Sequence, residues 1–342
     1  MSATREVPRP NVETSIRDLN SRLTGNASFF VRSHFVAPIV DLGRRRLTVL
    51  DESARPIRFS YDELRGMRQK TVTATLECAG NGRTGFRSVA EGEVPWGIGA
   101  VGTAICSGVP LRELLSGSKM SREASQVVVE GEDSGPVHGK RAPLHYVRAL
   151  PLKVALGRYV ILALKMNAEP LPVEHGFPAR LIVPGWYGMA SVKWVRSLRV
   201  LSGPPLETHF NTKKYVYVTE RRSTPVREMR VKSLVTSPRG GERMHVGQSV
   251  AISGKAWSGT ARIVRVEVGV DGRWNDARIA GRTARYSWTR WTFPWVPKTA
   301  GDTMISARAT DSLGNVQPTE AFENRYQCGF NAVRPVKVNV LS

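Results

Sequence analysis

A chain of 342 residues, 41% hydrophobic and 23% charged, has ordinary globular composition and enough length for two separate cores, which excludes a disordered or fibrous protein. Its formal net charge of +21 favours anionic partners (nucleic acid, a small oxyanion or a phosphorylated cofactor), and the excess is spread as +10 over residues 1–205 and +11 over 206–342 rather than held in one tail. Three cysteines, Cys78, Cys106 and Cys328, with no CxxC or HExxH spacing, exclude a disulfide framework and argue against a structural zinc site.

From Met1 to Asn20 there is no apolar segment of the kind a secretory signal needs. The chain therefore reads as cytoplasmic by default, and as periplasmic if a leader precedes it. The longest apolar run, Val154 to Leu164, is interrupted by Arg158 and is too short to span a bilayer, so no membrane partner is expected. Residues 1–25 read as an N-terminal extension. Leu47 to Leu50 and Val72 to Glu77 have the alternation and β-branched content of strands. Ser60 ahead of Tyr-Asp-Glu-Leu is a helix N-cap signal, and Pro110 opens a short helix. Further strands are expected at 127–130, 159–164, 180–183 and 195–201, making residues 26–205 an α+β domain without regular βαβ alternation. Residues 206–232 are polar, basic and aperiodic, and read as a linker. Its densest basic part, Lys213 to Lys232, lacks any helix-turn-helix, zinc-finger or RNA-recognition pattern and reads as a solvated connector. From 233 to 342, strands near 249–257, 262–271, 288–295, 303–310 and 336–341, separated by Gly, Asp, Asn and Pro turns, predict an immunoglobulin-like β-sandwich.

Three segments carry candidate chemistry. In Glu77-Cys-Ala-Gly-Asn-Gly-Arg83 a cysteine ends a strand and a glycine-rich loop follows. Gly80 and Gly82 permit close backbone approach, and Arg83 would draw the thiol toward thiolate, a soft metal ligand. A buried structural cysteine before a turn is the other reading. In Phe29-Phe-Val-Arg-Ser-His34, Arg32 and His34 project to one side of an extended segment, as an oxyanion grip or an ordinary polar edge pair. In Glu174-His-Gly-Phe-Pro-Ala-Arg180 and Val183-Pro-Gly-Trp-Tyr-Gly-Met-Ala-Ser-Val-Lys-Trp194, Ser191 and Lys193 form either a phosphate grip or part of a Gly/Pro loop with a snorkelling lysine.

Together, in this order, these motifs resemble those of the sulfite oxidase family over about residues 26–205, and Ala256-Trp-Ser-Gly259 with Asn315-Val-Gln-Pro318 resembles its β-sandwich dimerisation domain. The resemblance implies molybdenum bound to a pterin dithiolene (molybdopterin), with Cys78 as the protein ligand to the metal. It implies cofactor contacts from Phe30, Arg32, Ser33, His34, Cys78, Asp133, His175, Arg180, Ser191, Val192 and Lys193. It further implies an anion pocket with Arg32, Arg83 and Trp96. The implied chemistry is oxidation of sulfite to sulfate by oxygen-atom transfer, in a homodimer. With no haem domain, electrons would pass to a separate acceptor, of which a cytochrome is one class. Another small sulfur compound or an oxyanion is the second reading. A nucleic-acid-binding protein, suggested by the charge alone, is the reading from a different class.

The chain departs from the family pattern in two places. Aligned without gaps from Pro143-Leu144, His138 occupies the place of a pocket tyrosine, which predicts an acidic limb in the pH profile. The alternative is that His138 lies on an exposed turn at 135–139. For a second pocket arginine near the C-terminus, the segment offers either Arg325 or Cys328.

Overall fold

The computed structural model describes residues 11–51, 56–218, 223–281 and 285–342. The first ten residues of the expected N-terminal extension, and 219–222 within the basic stretch, lie outside the described residues. Sheet dominates, more than the α+β expectation allowed. The α-helices among the described residues are Ile16–Leu19, Tyr61–Gly66, Leu111–Leu114 and Leu152–Ala155, each of four to six residues. None is long and apolar enough to cross a membrane. Tyr61–Gly66 starts at Ser60 with a full capping box, the Ser60 side chain accepting from the Glu63 N–H while Glu63 accepts from the Ser60 N–H.

Two sheets build the N-terminal half. One has the order Ile57–Phe59, Leu47–Leu50, Val195–Ser202, Ala124–Gly135, Leu144–Pro151. The other runs Lys70–Glu77, Val101–Pro110, Ile161–Met166, with Glu169–Pro170 and Arg180–Ile182 both pairing onto Ile161–Met166. The strand Val101–Pro110 carries no signal in the sequence because small residues fill it. Its close neighbours explain them: a Cβ on Gly102 would come within 2.6 Å of the Phe29 ring, and one on Gly108 within 1.9 Å of the Leu162 carbonyl oxygen.

The C-terminal half is a two-sheet sandwich. Lys232–Ser237, Val250–Trp257, Thr289–Trp295 and Arg278–Ala280 form one sheet, and Arg243–His245, Val336–Leu341, Gly301–Asp311, Ile263–Val270 and Arg273–Asp276 form the other. Val235, Ile252 and Trp291 from the first sheet meet Val266, Ile305, Ala307 and Val338 from the second in one buried cluster. The two halves share a core, since Leu234, Trp257 and Trp288 belong to the same cluster as Leu47, Val127 and Leu198.

The described part of Lys213 to Lys232 is not a solvated connector, and the residues before it are also packed. Phe210, Tyr215, Val226, Met229 and Val231 are buried along them, and His209–Lys213 forms a π-helical turn against the first half. The basic residues mask this in the sequence because their apolar neighbours lack any 2- or 3.6-residue period. A buried ion pair fastens the halves further. Lys232 Nζ donates to Glu77 Oε1 at 2.9 Å, Asn81 O at 3.1 Å and Phe330 O at 2.8 Å, and Trp257 Nε1 donates to Glu77 Oε2 at 2.8 Å. Glu77 immediately precedes Cys78, so the sandwich holds the loop that carries the candidate metal ligand.

Candidate active site

Strand ends from both N-terminal sheets converge on one cleft. Cys78 follows the strand Lys70–Glu77, Arg180 opens Arg180–Ile182, and Lys193 lies just before Val195–Ser202. Asp133 sits in Ala124–Gly135, where the pairing with Leu144–Pro151 slips between Glu130 and Ser134. Such an irregularity re-aims side chains out of the sheet pattern. The cleft leaves about 630 Å³ between its walls, much of it open to solvent. Phe30, Arg32, Ser33, His34, Cys78, Asp133, His175, Arg180, Ser191, Val192 and Lys193 all line it. The family resemblance implies each of these residues, from five separate segments.

The cleft is electrostatically unbalanced. Arg180 is buried, and its contacts are backbone carbonyls only: Ser191 O at 3.3 Å and His175 O at 3.4 Å. Lys193 Nζ donates to Ser33 Oγ at 2.6 Å and Glu174 O at 2.9 Å. Among the described residues neither cation has a carboxylate in salt-bridge range. Burial, with the charges of Arg180 and Arg32, pushes the Lys193 ammonium well below its ordinary value, and burial brings Arg180 down to about 10. Burial also raises Asp133 to about 7 against the pull of Lys193, and with help from Arg180 lowers His175 to about 4. Neutral His175 donates through Nε2 to the Asn26 carbonyl at 3.0 Å, which leaves Nδ1 as an acceptor. Uncompensated buried cations are costly, and an anionic group in the cleft removes that cost.

Cys78 is buried between this cleft and a smaller second pocket lined by Arg32, Cys78, Gly80, Arg83, Glu93, Trp96, Lys214, Tyr215, Tyr326 and Cys328. The loop geometry demands its glycines. A Cβ on Gly80 would meet the Arg83 guanidinium at 2.6 Å, while Gly82 has φ +89° and lies against Phe330. The thiol does not behave as the sequence suggested. Burial outweighs the Gly80 hydrogen bond and the charges of Arg32 and Arg83, so its pKa is raised, not lowered. Thiolate character would have to come from metal binding.

Arg32, His34 and Tyr215 form a relay. Burial and the cations around it hold His34 neutral, its pKa well below 6.5. Nδ1 lies 3.2 Å from Arg32 Nη2, which can only donate, so Nδ1 accepts. Nε2 therefore carries the proton and donates to Tyr215 Oη at 2.7 Å. That arrangement leaves the Tyr215 hydroxyl proton free for an acceptor in either cavity.

His138 is a correction. It is exposed on the turn after Ala124–Gly135 and lines neither cavity. Residues 136–143 project outward, so counting back from Pro143 does not reach the pocket. The phenols at the cleft are Tyr146 and Tyr215, the latter from the basic stretch read as a linker. Of the two C-terminal options, Cys328 lines the second pocket, and Arg325 is exposed. Glu93, Lys214 and Tyr326 also escaped sequence reasoning, and no local motif marks them.

Comparison with known proteins agrees with this geometry. An "oxidoreductase molybdopterin binding domain" model matches residues 34–209, and a "Mo-co oxidoreductase dimerisation domain" model matches 223–340. Sulfite oxidase of Gallus gallus is 36% identical over 86% of this chain and 68% of its own length. The chain belongs to the sulfite oxidase family of molybdenum-cofactor oxidoreductases. The mitochondrial sulfite oxidase of Homo sapiens is 33% identical over 86% of this chain but only 57% of its own length. A nitrate reductase of Hordeum vulgare is 30% identical over 91% of this chain and 38% of its own length. The crystal structure of the sulfane dehydrogenase SoxCD from Paracoccus pantotrophus superposes with TM-score 0.82 at 30% identity, covering 95% of this chain and 83% of that one. This family member is a sulfite oxidase-like molybdoenzyme, and its cofactor is the molybdenum cofactor. The donor set fits such a group. The cleft offers uncompensated cations to a phosphorylated pterin and a thiol to a metal. Among the described residues no cluster of three or more His, Cys, Asp or Glu could bind a metal alone, so further ligands must come from the cofactor.

Proposed function

We propose that this protein oxidises a small sulfur compound, with sulfite as the simplest candidate, and passes the electrons to a separate acceptor. One observation carries the reading. Cys78 stands between a cleft whose buried cations, Arg180 and Lys193, have no carboxylate in salt-bridge range among the described residues and a second pocket with guanidinium, phenol and indole donors. Arg180, Lys193 and His175 would hold the cofactor's phosphate and pterin, and Cys78 its metal. When bound, the cofactor supplies the transferable oxygen and takes up the electron pair. The chain's own residues do the rest. Arg32 and Arg83 attract the substrate, and Trp96 Nε1, a buried donor with no partner among the described residues, is available to one of its oxygens. The free Tyr215 proton orients the reacting group, and Arg32 fixes the His34 tautomer that makes it free. The matched dimerisation domain favours a homodimer. Oxyanion reduction is the second reading, favoured by the barley relative.

Protein made in a molybdenum-replete host should contain about one molybdenum per chain and reduce ferricyanide on addition of sulfite. Loaded protein that ignores sulfite and other sulfur compounds but oxidises a reduced viologen with nitrate would overturn the proposal in favour of the second reading.

A further inference from the structure

The second pocket is less positive than its arginines suggest. Glu93 bridges two of its cations: Oε2 lies 3.2 Å from Arg83 Nη2, and Oε1 pairs with Lys214 Nζ. The carboxylate side chain is only 10% exposed, so solvent screens it little. Arg83 is further occupied by the Val94 carbonyl at 2.8 Å and the Tyr326 carbonyl at 3.5 Å. Arg32 donates to the Ser33 carbonyl and to His34. Cys328 adds no charge to the wall, because burial pushes its thiol up to about 12. Among the described residues, the donors left for a ligand are Arg83 Nε, on a guanidinium whose charge Glu93 offsets, and two neutral ones, Trp96 Nε1 and the Tyr215 hydroxyl. A fixed anion beside the ligand repels a dianion twice as strongly as a monoanion.

We propose that Glu93 is a specificity-determining residue that sets the pocket against free dianions and in favour of sulfur compounds carrying a single negative charge, with an uncharged substituent where sulfite has an oxyanion. The proposal rests on the sulfur-oxidising reading and names its substrate class. For such a substrate, taken as a sulfinate, one S–O bond forms. The sulfinate and a water become the sulfonate, two protons and two electrons, and the electrons reduce two equivalents of a one-electron acceptor. The side of the pocket where Cys328 and Tyr326 stand accepts the uncharged substituent.

Sulfite and methanesulfinate test this as substrates at alkaline pH, because each loses two electrons and gains one oxygen on oxidation and the two then differ by one charge. Sulfate and methanesulfonate do the same as product-like ligands whose binding needs no turnover. Dissociation constants for these two would be measured by calorimetry on the as-isolated enzyme and on Glu93→Gln, which keeps size and one acceptor. Wild type should bind methanesulfonate at least as tightly as sulfate. In Glu93→Gln the preference should swing toward sulfate by roughly ten-fold, the scale of a single close charge interaction at intermediate dielectric. The ratio of kcat/KM for sulfite over methanesulfinate, with ferricyanide as acceptor, should rise in parallel. A wild-type enzyme that strongly prefers sulfate, or a binding ratio unchanged in Glu93→Gln, would overturn the proposal. The expected binding ratios in an enzyme that oxidises neither sulfur compound would retire the sulfur-oxidising reading and leave the charge selectivity of Glu93 standing.

Discussion

Replacing Lys232 by methionine removes all three hydrogen bonds of its ammonium while nearly preserving side-chain volume. Glu77, 1% exposed, would keep the Trp257 indole and the Asn81 amide (3.0 Å from Oε1) but lose the counter-charge it has among the described residues. Leaving one member of a buried ion pair without its partner costs about 3–5 kcal/mol, more than the pair itself contributes. At about 2–4 °C per kcal/mol for a chain with cores of this size, the melting temperature should fall by on the order of 10 °C. Because Glu77 and Asn81 flank Cys78, molybdenum content should fall as well. The double variant Glu77→Gln, Lys232→Met replaces the charge by a neutral amide and should recover a large part of the loss, which no simple packing defect would allow. Calorimetric melting of the three variants, with metal analysis, is the assay. A single variant within about 1 kcal/mol of wild type, or a double variant no more stable than the single, would refute the idea that this pair fastens the Cys78 loop to the sandwich.

Two further predictions concern the cleft. Arg180→Ala and Lys193→Ala each delete a buried cation with no carboxylate in salt-bridge range among the described residues, so cofactor occupancy by metal analysis should drop several-fold while the cofactor-free fold is no less stable than wild type. Unchanged occupancy would make the loop merely structural. Asp133 has its pKa raised from 3.8 to about 7 in the folded protein, so its contribution to stability is present below pH 4 and is lost as pH rises through 7. At about 1.4 kcal/mol per unit, the ionised side chain costs a few kcal/mol above pH 8. Cofactor-free Asp133→Asn should therefore be more stable than cofactor-free wild type at pH 8 and close to it at pH 4, and parallel stability curves from pH 4 to 8 would contradict this.

The cleft is legible through the resemblance of several motifs taken in order, not through any one of them. Alone, the Cys78 loop, the Arg32–His34 pair and the Ser191–Lys193 segment each admit an ordinary structural reading, and Asp133 belongs to none of these segments. The second pocket was largely hidden because its wall is assembled from distant segments. Tyr215 and Lys214 come from a basic stretch with no period, Glu93 from an irregular loop, and Cys328 from the C-terminal segment. Nothing within a few residues of Glu93 announces that it will meet Arg83 and Lys214. His138 shows the converse. Spacing from Pro143 looked sufficient, but an outward turn consumed the residues between. The strand Val101–Pro110 was missed because its glycines, alanine and serine answer to Phe29 and Leu162 across the sheet rather than to strand propensity.

The central claim is that Cys78 binds the metal between the two cavities. X-ray absorption at the molybdenum edge, on wild type and Cys78→Ser loaded in the same host, measures this directly. The account predicts that the sulfur shell around the metal shrinks in the variant and that turnover collapses while the protein still melts cooperatively. Identical sulfur shells in the two proteins would contradict it.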